Sequence, residues 1–203
     1  MGNVSYSIFK RVIDILGSMI GIVLLSPLLL VIAILIRLES KGKVIFSQMR
    51  VGLNRKEFKI YKFRSMVENA EDLRKKLEDK NEVSGPMFKI KKDPRVTKVG
   101  RFIRNTSVDE LPQLINVLKG DMSLVGPRPS LPSEVAKFEP WMLKRLEVKP
   151  GLTCYWQVSG RSNIGFQEWM ELDIKYVNEM SIWVDIKLIL KTILLLFGDK
   201  NAF

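Results

Sequence analysis

Residues 15–36 read ILGSMIGIVLLSPLLLVIAILI, a stretch of 22 residues without a charged side chain. As an α-helix this stretch is about 33 Å long, which matches the hydrocarbon core of a bilayer. The sequence RLESK follows directly at residues 37–41 and contains no small-residue site for signal-peptide cleavage. The stretch therefore predicts a membrane helix that stays in the protein.

Pro27 lies near the middle of this helix, directly after Ser26. Proline has no N–H, so the carbonyl of Val23 loses its helical hydrogen bond, and the Ser26 hydroxyl is placed to replace part of it. Basic residues flank both ends of the stretch, and the positive-inside rule draws both ends to the cytoplasm. These residues are Lys10 and Arg11 before it and Arg37, Lys41, Lys43 and Arg50 after it. From the residues alone, a kinked spanning helix and a re-entrant helix-break-helix both remain open.

The composition limits the chemistry of the whole chain. Its 203 residues include 33 Lys and Arg against 22 Asp and Glu, no histidine, and a single cysteine, Cys154. Without histidine there is no Ser-His-Asp or Cys-His nucleophile and no imidazole metal site. One cysteine makes neither an intramolecular disulfide nor a cysteine zinc site. The formal charge of +11 predicts an anionic partner, namely nucleic acid, a phosphorylated metabolite or an anionic membrane.

The rest of the chain predicts an α+β fold that is mainly helical. Residues 1–40 form the membrane segment and residues 41–203 the second domain, which is large enough for a hydrophobic core. Residues 44–49 and 58–63 predict a short β-hairpin, with a turn signal at residues 51–54. Residues 182–197 have a helical pattern that fits either a buried core helix or an amphipathic helix lying in the membrane interface.

Two adjacent acids, Asp109 and Glu110, lie near the start of the stretch TSVDELPQLINVLKGD at residues 106–121. Ser107 and Glu110 fit a capping box, which predicts a helix with Asp109 and Glu110 in its first turn. The acids fit a role as partners of the helix dipole, or as ligands of Mg²⁺, or one of them as a covalent nucleophile in phosphoryl transfer. The preceding basic run, which includes Arg104, favours a phosphate site.

Two further stretches carry arginines in constrained loops. Arg128 lies between Pro127 and Pro129, so its backbone is restricted and its guanidinium is suited to hold a phosphate. The stretch 149–161 contains Tyr155 and Trp156 and ends at Arg161, and its aromatic rings fit either nucleobase stacking or core packing. Cys154 is interpreted as a small packing residue.

The order of these motifs resembles a known family. The basic membrane segment with SP at 26–27, YKFRSM at 61–66, SVDEL at 107–111, NVLKGDMS at 116–123, GPRP at 126–129 and QVSGR at 157–161 occur in sequence. Together they resemble the bacterial sugar transferases that act as monotopic polyprenyl-phosphate phosphoglycosyl transferases. The resemblance covers nearly the whole chain.

The resemblance implies a reaction and a set of residue roles. A sugar 1-phosphate moves from a UDP-sugar to undecaprenyl phosphate with release of UMP, as the first membrane step of surface polysaccharide synthesis. Asp109 is then the nucleophile, and Asp109 and Glu110 bind Mg²⁺. Phosphate groups are held by Arg104, Arg128 and Arg161, with Lys62 as a weaker candidate. The Ser26-Pro27 break makes the membrane helix re-entrant, which places the active site at the cytoplasmic face of the bacterial inner membrane, beside anionic lipids.

The same resemblance bears on the sugar and on rival functions. Residues 85–90 and 93–97 look like larger members that use hexose 1-phosphates, so glucose or galactose is expected, with an N-acetylated or diacetamido sugar as the alternative. The chain is expected to be a minimal form or the catalytic domain of such a member. A non-enzymatic, membrane-anchored anion-binding module and a phosphohydrolase are the rivals. Nucleic acid is not an expected partner, and the oligomeric state is open, with a homodimer as one option.

Overall fold

A computed structural model describes residues 4–77, 79, 81–82, 88, 90, 92–160 and 164–196. Its longest element is helix α1, Val4–Glu39, which contains Pro27. The Ser26 hydroxyl donates to the Val23 carbonyl at 2.8 Å, the same carbonyl that the proline leaves without a partner. The predicted compensation by Ser26 is therefore confirmed. The helix continues through Ser26 and Pro27, so the expected interruption is not seen, and the re-entrant path stays a prediction.

The remaining elements confirm a mainly helical α+β fold with little sheet. The strands are β1 Ile45–Val51, β2 Glu57–Phe63, β3 Ser123–Val125 and β4 Gly151–Thr153. The helices after α1 are α2 Ala70–Lys75, α3 Lys98–Asn105, α4 Gln113–Lys119, α5 Pro132–Val135, α6 Tyr155–Val158, α7 Phe166–Glu179 and α8 Ile182–Leu196. Short 3₁₀ segments lie at Leu53–Arg55, Val108–Glu110 and Pro140–Glu147.

The predicted hairpin is present and slightly longer than expected. Strands β1 and β2 pair antiparallel from Ile45 opposite Phe63 to Val51 opposite Glu57. Asn54 and Arg55 make the turn with left-handed φ values of 52° and 62°. Because side chains alternate along a strand, Arg50 on β1 and Lys62 on β2 project from the same face of the hairpin.

Strands β3 and β4 form a separate parallel pair that brings two backbones very close together. A Cβ on Gly126, just after β3, would collide with the Lys149 carbonyl, and one on Gly151 would collide with the Gly126 nitrogen. The obstacle in each case is backbone, which does not move aside as a flexible side chain does. Only glycine fits at these two positions, and their contact fixes the start of the GPRP loop.

Both ends of α1 pack on the rest of the protein. Near its start, Lys10 pairs with Asp185 of α8 at 2.7 Å, and Arg11 donates to the last carbonyls of α4. At its end, Glu39 accepts from the backbone N–H groups of Lys98 and Val99 at the start of α3. Between these anchors the helix exposes large apolar side chains, which include Val23, Leu24 and Leu30.

Helix α8, predicted to be either a core helix or an interfacial helix, packs on the protein by one face only. Helix α8 buries Leu188 in a core cluster with Cys154 and Tyr176, so it is partly a core helix. Its other face exposes Trp183 and Leu194. The core interpretation is therefore confirmed for one face, and contact of the other face with the membrane interface stays a prediction. Helix α3 likewise exposes Phe102 and buries Ile103.

Candidate active site

Asp109 and Glu110 lie in the 3₁₀ turn Val108–Glu110, before helix α4 begins at Gln113. The predicted capping box is wrong: Ser107 adopts a left-handed φ of 57° and makes no side-chain cap. The physical reason is that the Glu110 carboxylate has stronger partners than a backbone N–H. Two cationic side chains from other parts of the chain take both of its oxygens.

Glu110 is the centre of an ion-pair triad. Lys62 Nζ donates to Glu110 Oε1 at 2.7 Å, and the Arg128 guanidinium binds both oxygens, at 2.7 Å and 3.2 Å. Burial alone would raise the pKa of Glu110, but Arg128 and Lys62 together hold it well below its usual range. Glu110 is therefore ionised across the physiological pH range. Glu110 raises the pKa of Arg128 in turn, and burial lowers that of Lys62.

Asp109 has the opposite electrostatic environment from its neighbour. Burial raises the pKa of Asp109 to about 6, with the nearby charge of Glu110 acting in the same direction. The cations Lys62, Arg104 and Arg128 oppose this shift. Asp109 is thus a carboxylate held close to three positive charges and poised to titrate just below neutrality, which suits a nucleophile.

These residues share one cleft of about 1130 Å³. The predicted site residues Lys62, Arg104, Asp109, Glu110 and Arg128 all line it. Apolar residues from three helices line another part of the same cleft, namely Gly21 and Leu25 of α1, Leu114 of α4, and Ile189 and Ile193 of α8. The cleft therefore joins a cationic pocket to an apolar wall built partly by the long apolar helix α1. Arg161 lies outside the described residues.

Arg50 lines the same cleft, although the sequence pattern indicates only a charge that flanks the apolar helix. Its Nη1 donates to the Pro129 carbonyl at 3.4 Å and its Nη2 to Gln48 at 3.0 Å. Burial lowers the pKa of Arg50 to about 10, and the like charge of Arg128 adds to this. Strand alternation could have placed Arg50 beside Lys62, because both lie on one face of the hairpin.

The aromatic stretch after Gly151 supports the packing interpretation. Trp156 stacks on Trp169 with ring centroids 4.6 Å apart, and the Arg128 guanidinium lies 5.8 Å from the Trp156 ring. Cys154 is fully buried in the core, as predicted for a packing residue, and burial raises the pKa of its thiol well above the usual value.

The donor set for a metal is small. Among the described residues no group of three or more His, Cys, Asp or Glu side chains comes together. Asp109 and Glu110 supply two carboxylates, and Mg²⁺ in phosphoryl-transfer sites is commonly held by one or two carboxylates together with substrate phosphates. The pair therefore fits Mg²⁺, with Asp109 as the carboxylate less engaged by cations.

Comparison with known proteins decides the family. The model of the bacterial sugar transferase family matches residues 5–199. The chain belongs to the bacterial sugar transferase family. This confirms the resemblance drawn from the motifs, and the match covers both helix α1 and the cleft.

Three relatives show the range within the family. The galactosyl transferase CpsE of Streptococcus agalactiae is 50% identical over 93% of this chain and 42% of its own length. The UDP-glucose:undecaprenyl-phosphate glucose-1-phosphate transferase of Klebsiella pneumoniae is 42% identical over 97% of this chain and 42% of its own length. The exopolysaccharide production protein ExoY of Rhizobium meliloti is 37% identical over 91% of this chain and 83% of its own length. The chain thus spans less than half of the first two relatives and most of the third.

Proposed function

We propose that this protein is a phosphoglycosyl transferase that moves a sugar 1-phosphate from a UDP-sugar to undecaprenyl phosphate. The observation that carries the proposal is Asp109, a half-buried carboxylate beside the Glu110–Lys62–Arg128 triad in a cleft that also reaches helix α1. A soluble nucleotide sugar and a membrane-bound acceptor both have access to such a cleft. The name of the Klebsiella relative, which includes both UDP-glucose and undecaprenyl phosphate, supports this assignment.

The reaction proceeds in two displacements at phosphorus. An oxygen of Asp109 attacks the phosphorus that carries the sugar, the bond from that phosphorus to the bridging oxygen breaks, and UMP leaves with the electron pair. An oxygen of undecaprenyl phosphate then attacks the same phosphorus and displaces Asp109, which regenerates the carboxylate and forms the lipid diphosphosugar. No histidine is needed, because both attacking groups are anions that are already deprotonated near neutral pH.

The cationic residues stabilise charge that builds up on the transferred phosphate. Arg104 and Arg128 bind phosphate oxygens, Lys62 supports them, and Arg161 is assigned the same role from the sequence motif. Asp109 and Glu110 would hold Mg²⁺, which supplies further positive charge to the diphosphate when bound. Glu110 also keeps Lys62 and Arg128 in place, so its loss affects binding as well as metal affinity.

The packing of α1 supports a re-entrant membrane segment. Lys10 and Glu39 are 29 residues apart, about 44 Å along a straight helix, which exceeds the thickness of a bilayer core. Both residues contact the folded part that contains the active site. A spanning helix would place one of them on the far side of the membrane from that folded part. We propose that both ends of α1 lie at the cytoplasmic face of the inner membrane, and that the helix bends at Pro27 when its apolar middle inserts.

The catalytic part, residues 41–203, then rests on the membrane surface. The exposed apolar side chains Phe102 of α3 and Trp183 and Leu194 of α8 contact the lipid interface. The charge of +11 attracts anionic lipids. This position brings the phosphate of the acceptor to the level of the cleft.

The decisive experiment is a panel of UDP-sugars tested with undecaprenyl phosphate and Mg²⁺. UMP release and lipid-linked product are both measured, for wild type and Asp109→Asn. We expect product with UDP-glucose or UDP-galactose, and no turnover by the variant. Product only with an N-acetylated or diacetamido sugar would correct the sugar and keep the reaction, whereas free sugar phosphate would indicate a phosphohydrolase. Full activity of Asp109→Asn, or salt-dependent anion binding without turnover, would refute the proposal.

Topology is tested by cysteine labelling in membrane vesicles of known orientation. Ser5→Cys and Lys41→Cys place thiols at the two ends of α1, and the natural Cys154 is buried and serves as an unreactive background. An impermeant maleimide should label both positions from the cytoplasmic side only. Labelling of the two ends from opposite sides would establish a spanning helix.

A further inference from the structure

Arg145 is a fully buried arginine outside the predicted site. It lies in the 3₁₀ segment Pro140–Glu147 and is 2% exposed. Its partner is Asp173 of α7, which is 0% exposed; Asp173 Oδ2 accepts a hydrogen bond from Arg145 Nε at 2.9 Å and lies 2.7 Å from Nη2 in the ion pair. Burial raises the pKa of Asp173 to about 6 although the arginine opposes the shift.

The other hydrogen bonds of Arg145 reach the GPRP loop. Its Nη1 donates to the Ser130 hydroxyl, and its Nη2 donates to the backbone carbonyl of Arg128 at 2.6 Å. The Arg128 guanidinium then binds Glu110, so a continuous chain of contacts leads from α7 to the acidic pair. The fork geometry of a guanidinium allows one side chain to hold Asp173 and the loop together.

A second route joins the same two arginines through aromatic rings. The Arg145 guanidinium lies 5.5 Å from the ring centroid of Trp169. Trp169 stacks on Trp156, with 4.6 Å between the ring centroids and an angle of 26° between the ring planes. The Arg128 guanidinium lies 5.8 Å from the centroid of the Trp156 ring. Arg128 is therefore fixed at its carbonyl by hydrogen bonding and at its guanidinium by a cation–π contact.

A buried ion pair is a weak source of stability, because desolvation of both charges offsets their attraction. The Arg145–Asp173 pair has a clearer physical role in geometry, since it ends on the residue that binds Glu110. Arg128 needs a fixed position, because a guanidinium that stabilises a transferring phosphate works only from the correct distance and angle.

We propose that Arg145 is a positioning residue for Arg128, and that through Arg128 it controls binding of the diphosphate of the nucleotide sugar. Asp173 holds the Arg145 guanidinium in the plane that reaches the loop. This inference rests on the proposed function, because it assigns Arg128 to phosphate binding.

The test compares Arg145→Lys with a matched control, Lys144→Met. Lys144 links the same two elements as Arg145, with Nζ 2.7 Å from Asn178 of α7, but it makes no contact with the GPRP loop in the described part of the chain. We expect Arg145→Lys to reduce kcat/KM for UMP release by about 10- to 100-fold, as is typical when a residue that orients a site residue is replaced. Lys144→Met should change it less than about twofold. Equal effects of the two variants would overturn the inference, since both break a link between the same elements.

A double-mutant cycle with Arg128→Ala separates positioning from general damage. If Arg145 acts through Arg128, replacing Arg145 by Lys costs little more once Arg128 is absent, so the two losses are not additive. Additive losses would overturn the inference. If Arg145→Lys does not fold, as judged by the near-ultraviolet circular dichroism of the Trp156–Trp169 stack, Ser130→Ala replaces it, because it removes only one of the loop contacts. Absence of UMP release by wild type refutes the proposed function, whereas additive losses in an active enzyme refute only the role of Arg145.

Discussion

The neighbours Asp109 and Glu110 should change stability in opposite directions when their charges are removed. The pKa of Asp109 is raised, from 3.8 to about 6, by burial first and by Glu110 second. A raised pKa means that the folded protein binds this proton more tightly than the unfolded chain. Wild type therefore keeps this stability below pH 4 and loses it as the pH rises through about 6. Asp109→Asn mimics the protonated carboxyl and does not suffer the loss.

The size of the effect follows from the difference between the two pKa values. About two pH units at about 1.4 kcal/mol each correspond to about 3 kcal/mol. Asp109 borders the cleft and is partly exposed, so screening by water lowers the expected gain to about 2 kcal/mol. For a protein of this length that gain raises the Tm by roughly 4–8 °C at pH 8.

The measurement is thermal unfolding of the purified protein in one detergent, followed by circular dichroism at pH 4, 6 and 8. Asp109→Asn should be more stable than wild type at pH 8, and the difference should disappear near pH 4. Glu110→Gln is the matched control, and we expect it to be less stable than wild type at pH 8. The pKa of Glu110 is held low, so its stabilising effect is present at pH 8, and the variant leaves Lys62 and Arg128 without their shared partner.

Three outcomes would refute the reasoning. Asp109→Asn could be no more stable than wild type at pH 8, its gain could persist unchanged at pH 4, or Glu110→Gln could also be stabilised. The first two would mean that burial does not raise the pKa of Asp109, and the third that Lys62 and Arg128 do not outweigh burial at Glu110. Stabilisation of an inactive Asp109→Asn is instead the expected pattern for a nucleophile whose charge is unfavourable in the resting protein.

Four further results are expected. Formation of the phospho-sugar on Asp109 should slow about tenfold for each pH unit below 6, because only the ionised carboxylate attacks; a flat rapid-quench profile between pH 5 and 8 would contradict this. Gly151→Ala should reduce the free energy of unfolding by about 3 kcal/mol because its Cβ meets the Gly126 backbone, and denaturant unfolding with wild-type stability would exclude the clash. Glu39→Ala should reduce the free energy of unfolding by about 1 kcal/mol, because the first N–H groups of α3 lose their acceptor. Denaturant unfolding measures this, and Glu39→Asp, which keeps a carboxylate, is the control for which no change is expected. Cys154 should not react with Ellman's reagent before unfolding, and rapid reaction of the native protein would show that the core around it opens.

The sequence predicts those parts of the site that depend on local patterns. Alternation along residues 58–63 predicts the strand that carries Lys62, and the prolines around Arg128 predict a restricted loop. The adjacent acids Asp109 and Glu110 predict the position of the site, and the structure places Lys62, Arg104 and Arg128 in the cleft around them. Each of these predictions needs only the chemistry of a few consecutive residues.

Predictions that depend on distant partners were wrong or missing. The capping box failed because Glu110 pairs with Lys62, 48 residues earlier in the chain, and with Arg128, 18 residues later. Arg145 was not predicted because its partner Asp173 lies 28 residues away and neither residue belongs to a motif. The sequence likewise left the path of α1 open, because only the folded structure shows what Lys10 and Glu39 contact.

The contacts of α1 with α8 also determine the order in which the protein can assemble. Tyr6 and Lys10 both bind Asp185, which follows them by 179 and 175 residues. At about 5–20 residues per second, a ribosome needs on the order of 10 s or more to synthesise the intervening chain. During this interval the side chains of Tyr6 and Lys10 do not yet have Asp185 as a partner. In the proposed membrane-bound form, insertion of α1 would therefore come before the fold closes around Asp185, and the nascent chain would be tethered before its active site is complete.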